Sequence, residues 1–547
     1  MTRCLTQKRL SQNYGYEELY ISSFFPKYED KHRHIGIAQH ILSLPHSFTS
    51  VDMFEQQRPD SPAGNLELKK PARGIVRPVT SEEELSDQPP AQLLSTAREI
   101  ALVLTLAGAG FLNIIFVQSA VIMLPSISEA LGIPPNRQQW ITSSYNIAFA
   151  CVLLLWGRLA DIYGRRIFFI YGSIFVTIIT VTIPFSPGEI VFDILRALQG
   201  LGSAATVPSA VGILSSTFPP GKKRTYAFVT YTATSALGSV MGNIMGGIIG
   251  AYLSWKWVFW IIAILAAFTT VAGIIVIPRP PVKTIDPDSK LDVDWIGGAL
   301  ISTSLITLLF ALTEGGGIGW STPWIPVLIV VALLLMVVFY FWQRHLERTD
   351  RSPLVKVSMF RNAQFTSAFA IIGCFFASYN SYLIFATYFY QDFLGLGVIE
   401  TTVRFLPAGV AGLLVSFVTA KALTIFPGFY VLVFSTICGI ISPLLFALPI
   451  SPNTTYWAYG FPAMCLCISA DMLSPTINLF VVGRSLGLAI ATAVQGAVGS
   501  TGGSEIHRDP SMLKGLRAGE WVNVGLAAAT LLLVLVFFRA TRHSGAS

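Results

Sequence analysis

Three charged residues sit in or at the edge of apolar runs, where charge is costly and invites a functional question. Arg196 lies early in Leu195-Arg196-Ala197-Leu198-Gln199-Gly200-Leu201-Gly202. An unpaired buried guanidinium cannot shed its proton, so a functional role is favoured there. For Asp471 a structural hydrogen bond and a site role are both open. Glu314, beside Gly315-Gly316-Gly317, reads equally well as a solvated loop acid. A fourth feature is the ordered turn Gly157-Arg158-Leu159-Ala160-Asp161-Ile162-Tyr163-Gly164-Arg165-Arg166. Gly157 and Gly164 permit tight turning between antiparallel helices, and Asp161 can accept bonds from a helix start and pair with a nearby Arg. Such contacts at one rim would hold a conformation closed.

The elements that must position these residues are membrane helices. The 547 residues are 53% hydrophobic and 12% charged, with mean hydropathy +0.60; a soluble protein carries about twice that share of charge. About fourteen apolar stretches are long enough to cross a bilayer. They lie near 100–123, 140–158, 167–186, 191–213, 227–250, 256–277, 295–313, 323–343, 365–389, 402–423, 428–449, 456–480, 484–500 and 521–538. Lys and Arg in the loops outnumber those on the opposite side by about three to one when both termini are cytoplasmic. In that orientation the sequon Asn453-Thr454-Thr455 is a glycosylation candidate on the outer side.

Longer loops at 278–294 and 344–363 bracket two spans, which gives six, two and six. The expected organisation is a cytoplasmic disordered tail at 1–98, a six-helix bundle at 99–278 and two extra transmembrane helices at 279–345. A second six-helix bundle follows at 346–540, its thirteenth helix truncated near 483, with a cytoplasmic tail at 541–547.

Several chemistries are disfavoured. Net charge is +7, but the excess is spread over short loops rather than one basic face, so nucleic acid is not an expected partner. Cys151, Cys374, Cys438, Cys465 and Cys467 lie in apolar runs and Cys4 in the amino-terminal segment, so no disulfide framework is expected. No His pair has metal-ligand spacing, no Gly-x-x-x-x-Gly-Lys-Ser/Thr loop is present for ATP, and no catalytic residue is assigned. Gly238, Gly242 and Gly246, with Gly247, form a helix stripe against which another backbone can come close.

Together the three motifs resemble the major facilitator superfamily over roughly residues 100–540. Gly157–Arg166 resembles its motif A, Arg196 with Gly200 and Gly202 its motif B, and Gly238–Gly247 its motif C, associated with antiporters. The 6+2+6 layout resembles the fourteen-span drug:proton antiporter branch. The wording of helices 1–3 and of Trp457-Ala458-Tyr459-Gly460-Phe461-Pro462-Ala463-Met464 resembles the fungal aminotriazole-resistance group.

The resemblance implies an all-α polytopic fold, two six-helix bundles plus two extra central helices, rocking around a midplane cavity. It implies motif A as a latch with Asp161 near the start of the thirteenth span, and Arg196 beside the cavity, influencing proton coupling. The extra spans would lie outside the transport core. The chain departs from the family at three places. Phe116 stands where the antiporter branch commonly has an acid, and Gln118 where Thr is usual. Asn243 replaces a Pro in motif C, so a weaker kink is expected there. Phe480–Leu486 joins two spans with almost no loop, and Arg484–Ser500 would span about 25 Å at ~1.5 Å per residue, short of the ~30 Å core.

Cavity candidates are Asn113, Gln118, Tyr145, Asn146, Tyr379, Asn380, Tyr382, Asp471 and Asn478. The expected function is secondary transport of a small molecule by alternating access, as multidrug, toxicant or metabolite efflux. The alternatives are import of a small polar solute or ion, ammonium- or borate-like, and a non-transporting sensor with a transporter fold. The lipid bilayer and the substrate are the expected partners, the protein is expected to be a monomer, and no cofactor is expected beyond proton coupling. The plasma membrane is the expected location, with the vacuolar membrane as the alternative.

Overall fold

The computed structural model describes residues 95–134, 137–219, 221–279, 293–320, 322–349, 351–426, 428–448, 455–467, 487, 490–491, 494 and 510–538. Among these residues the chain is all helical, and ten helices are long and apolar enough to cross a membrane. Helix is the form a single segment must take in lipid, because it satisfies its own backbone hydrogen bonds.

The first half runs α1 (Thr96–Ile122), α2 (Trp140–Tyr163), α3 (Arg165–Thr182), α4 (Glu189–Thr217), α5 (Lys222–Ile244) and α6 (Trp255–Val276). α7 (Trp295–Ile318) and α8 (Trp324–Arg348) follow, then α9 (Ala363–Tyr388), α10 (Val398–Ile425), α11 (Gly428–Ala447), α12 (Tyr456–Cys467) and α13 (Pro510–Phe537). α1 to α12 occupy the first twelve expected spans, and α13 the fourteenth. The thirteenth, with the joint near 483, lies outside the described residues except for four positions. One of them, Gly487, touches α9, where an added Cβ would meet Ala377 at 2.5 Å.

Two boundaries differ from expectation. α13 starts at Pro510 rather than near 521, because hydropathy registers only the apolar part of a helix whose first turns carry Lys514, Arg517 and Glu520. α1 is followed, after Met123, by a short helix at Leu124–Leu131 that opens with Pro125 and stops on Gly132 at φ 66°. Pro lacks the N–H a helix interior needs, and Gly adopts the left-handed stop without a Cβ clash.

α4 packs against both α2 and α3, and α6 covers α3. The apolar core of this half joins Phe116, Tyr145, Phe149, Phe192 and Phe259. A second core joins Tyr382 of α9, Phe389 of the π-helical turn that follows it, Phe446 of α11, Tyr459 of α12 and Leu516 of α13. The two halves meet where α5 lies on α10.

α7 lies antiparallel along α2. A Cβ on Gly298 would come 2.8 Å from Leu155, Ser302 donates to the Cys151 carbonyl at 2.7 Å, and Trp140 donates to Glu314 Oε1 at 2.7 Å. Glu314 is thus the indole's acceptor rather than a free loop acid. At the other end Asp294 caps α7 by accepting from Gly297 N–H at 2.8 Å, and it also accepts from Trp342 and Gln343 of α8 at 3.0 and 2.6 Å. α8 is peripheral. Only 11% of its most apolar window is buried, and Val327, Leu334, Val338 and Phe341 point outward, as lipid contact requires.

Candidate functional site

The extended residue Gly188 precedes α4, whose helix carries Arg196 inward between α1, α2 and α6. Arg196 is fully buried at 0% exposure. Its fork is divided among three acceptors. Nε donates to the Ile141 carbonyl of α2 at 3.2 Å, one terminal nitrogen to the Phe116 carbonyl of α1 at 3.0 Å, and the other to Gln199 Oε1 at 2.5 Å. Gln199 in turn donates to Thr180 Oγ1 of α3 at 2.8 Å. The guanidinium lies 4.9 Å over the Tyr145 ring and 6.0 Å from that of Phe259, in the range where ring faces attract cations. Asn113 donates to the Tyr145 hydroxyl at 2.8 Å.

Neither Asn113 nor Gln118 is among these hydrogen-bond partners of Arg196. Asn113 acts only through Tyr145, and Gln118 donates instead to Ser239 of α5 at 3.1 Å. Phe116 supplies its main-chain carbonyl. A helix carbonyl has a second lone pair free for such a bond. Gly200 and Gly202 let α4 come close. A Cβ at Gly200 would run into the Tyr145 carbonyl oxygen, and one at Gly202 would stand 2.6 Å from Val176 Cγ2.

Two acids, the half-buried Asp193 and the buried Glu520, were not found by reading the sequence. Asp193, one turn before Arg196, interacts with it through space, and its Oδ1 has no hydrogen-bond partner. Glu520 of α13 is 1% exposed. Each sits at the margin of its apolar window, where a hydropathy average treats an acid as loop. The signal that would have found them is a single charge flanked by apolar residues, as in Val191-Phe192-Asp193-Ile194-Leu195.

The Gly157–Arg166 turn is made by Gly164 alone, at φ 113°. Gly157, expected to turn the chain, lies within α2, with ordinary contact to Pro208 at 3.8 Å. Arg158 is half-buried on the same helix. Arg165 pairs with Asp161 at 2.7 Å and donates to the Gly212 carbonyl of α4 at 2.5 Å. A Cβ at Gly212 would lie 2.7 Å from Arg165 Cδ. Arg166 donates to the Ile277 and Ile274 carbonyls at the end of α6 at 2.9 and 3.1 Å, where a cation also suits the helix dipole. The turn therefore clamps α2, α3, α4 and α6 at one end. The approach of Asp161 to the start of the thirteenth span lies outside the described residues.

Asp161→Asn is expected to leave the protein folded in the membrane while lowering flux. The pair is half-exposed, and such pairs contribute only ~0–1 kcal/mol to stability. Arg165→Ala also removes the bond to α4 and is expected to lower the melting temperature as well. Flux and melting of both variants at matched expression check this; unchanged flux in Asp161→Asn removes its latch role.

The α5 glycines pack on α1. Added Cβ atoms would approach Phe111 O at 2.9 Å from Gly238, Gln118 Cβ at 2.8 Å from Gly242 and Ser119 O at 2.8 Å from Gly246. Gly247 faces the other way, onto Thr402 of α10, and Gly409 of α10 receives Val240. α5 is thus wedged between a helix of its own half and one of the other. Where the family has Pro, Asn243 is buried, and just beyond it Met245–Ile249 forms a π-helical turn. Such a turn is a second route to a local break in a helix.

Of the remaining cavity candidates, Asn146 is half-buried on α2. Tyr379 packs edge-on to Phe376 at 6.3 Å, Asn380 is 9% exposed and Tyr382 1%. Tyr382 meets Phe446 edge-on at 5.2 Å, inside the core of the second half. Asn453, Asp471 and Asn478 lie outside the described residues. The structure thus brings Asn113, Tyr145 and Arg196 together and keeps Gln118 and Tyr382 apart from them.

Comparison with known proteins agrees with this geometry. Residues 106–313 match the model of the Major Facilitator Superfamily. An efflux pump of Aspergillus terreus, terJ, is 26% identical over 84% of this chain and 90% of its own length. A low affinity ammonium transporter of Saccharomyces cerevisiae is 26% identical over 87% and 95% respectively. The human organic anion transporter MFSD10 superposes with a TM-score of 0.54 at 14% identity, over 82% of this chain and 100% of that one, a likeness of fold. The buried arginine, the clamped turn and the glycine wedge of α5 all lie within the residues that match the Major Facilitator Superfamily, in an integral, multi-pass membrane protein.

Proposed function

We propose that the chain is a secondary transporter that exports a small organic toxicant or metabolite by alternating access. The observation that carries the reading is α5, which only glycines allow to lie against α1 and α10 at once. A smooth backbone seam of this kind lets two halves reorient while they remain in contact. Similarity to fungal efflux pumps along most of the chain supports export. The Lys/Arg asymmetry supports cytosolic termini, and the plasma membrane is the proposed location.

Import of a small polar ion is the second reading. It is favoured by the equal identity to the ammonium transporter.

The test is expression in yeast stripped of its own efflux pumps and ammonium carriers. Under the first reading, tolerance to at least one amphipathic toxicant rises and low-ammonium growth does not change. Restored low-ammonium growth without any gain in tolerance would favour the second.

A further inference from the structure

We propose that Glu520, paired with Asn523, is a proton-binding site in the second half of the protein. It deepens the transport reading, on which it rests, by naming where a coupling proton would be held. Glu520 and Asn523 lie one turn apart on α13, 1% and 0% exposed. Asn523 Nδ2 donates to Glu520 Oε2 at 3.0 Å. The two remaining oxygens, Glu520 Oε1 and Asn523 Oδ1, have no hydrogen-bond partner among the described residues. An ionised carboxylate would leave both acceptors unpaired in a buried site, which is costly.

One proton on Oε1 turns that oxygen into a donor. Asn523 Oδ1 is a vacant acceptor on the same amide that already donates to Oε2. A neutral acid and an amide then satisfy each other through two hydrogen bonds. The exchange is a simple one: an O–H bond forms with a proton from water and breaks by returning it to water.

Among the described residues the neighbouring helices supply no cation; on α13 itself Arg517 lies one turn before Glu520, yet Glu520 Oε1 accepts no bond from it. α13 packs against α9 and α11. α9 carries no charged residue between Ala363 and Tyr388, α11 none, and α12 none. The titratable groups are Tyr382 of α9, Cys467 of α12, and Tyr390 and Asp392 of the π-helical turn Phe389–Phe393, which also packs on α13. On α11, Cys438 is buried and Tyr430 is turned outward. On α13 itself the cations are Lys514 and Arg517, both closer to the helix start. Asn523 is fixed to α9 through its own carbonyl, which accepts from Ser378 at 2.8 Å. A shift of α9 against α13 would therefore change the surroundings of the acid. α1, by contrast, has no acid after Glu99.

The experiment uses the purified full chain in liposomes, with protons as the only probe. Infrared difference spectra are recorded between high and low pH for the wild type, Glu520→Gln and Glu520→Asp. The wild type is expected to gain a protonated-carboxyl band as pH falls, one component of which is missing in Glu520→Gln and shifted in Glu520→Asp. The aspartate variant keeps the test decisive if the glutamine variant does not fold. Identical spectra in wild type and variants, or no titrating carboxyl in the wild type, would overturn the site. No substrate is needed, so that failure leaves the transport reading standing. A titrating Glu520 in a protein that exports nothing would remove the transport reading alone.

Discussion

Arg196→Ala is expected to reduce flux at least about tenfold at matched membrane levels, with Arg196→Lys between it and the wild type. Hydrogen bonds to a charged group contribute ~1.5–3 kcal/mol each, and ~1.4 kcal/mol is a factor of ten. The guanidinium holds acceptors on α1, α2 and α4 together, at Phe116, Ile141 and Gln199. Alanine releases all three. Lysine keeps the charge, but its ammonium is a point donor that cannot reproduce a planar fork divided between two helices, and it loses the stacking on Tyr145. Stability should move less than flux. Removing a buried charge also removes its desolvation cost, and the two carbonyls keep their bonds within their own helices. Export of the toxicant selected in yeast, measured beside thermal melting, separates the effects. Wild-type export in both variants would reduce Arg196 to a packing residue.

The fate of Arg196 also shows what could be read from residue types alone. A charge inside an apolar run is visible, and so is its buried position. Its partners are not, because two of them are main-chain carbonyls and no side chain marks a carbonyl. The glycine stripe at 238, 242 and 246 was legible by its period, yet nothing in it said that α1 would be the surface it meets, or that Gly247 would face α10. Helix positions followed the apolar runs closely because lipid leaves the backbone so little choice. Their ends did not, since polar first turns such as Pro510–Glu520 continue a helix past its apolar part. Asp193 and Glu520 were missed for that reason. Gln199 was passed over because an amide in a helix raises no alarm until its partners, Arg196 and Thr180, are known.

Close approach of backbones leads to the sharpest stability contrast. Gly200→Ala is expected to lose most of the folded protein, whereas Gly202→Ala is expected to be milder and Gly525→Ala neutral or slightly stabilising. The new methyl at position 200 collides with the Tyr145 carbonyl oxygen and lies 3.1 and 3.2 Å from Tyr145 C and Phe149 N. These are main-chain atoms of α2 and cannot rotate aside, so α2 and α4 must separate. Overpacking of this kind costs about 1–3 kcal/mol, and more where backbone has to move. The same stretch of α2 carries Tyr145 beneath Arg196 and the Ile141 carbonyl that Arg196 grips, so any surviving protein should also export poorly. At 202 the neighbours are the Val176 and Phe175 side chains, 2.6 and 2.8 Å away, which can change rotamer. At 525 nothing lies within 4 Å, and exchanging glycine for alanine in a helix gains ~0.4–1 kcal/mol by restricting the unfolded chain. Melting followed by size-exclusion chromatography in detergent gives the order directly. If Gly200→Ala melts with the wild type, the close approach of α4 to α2 is not what holds this half together.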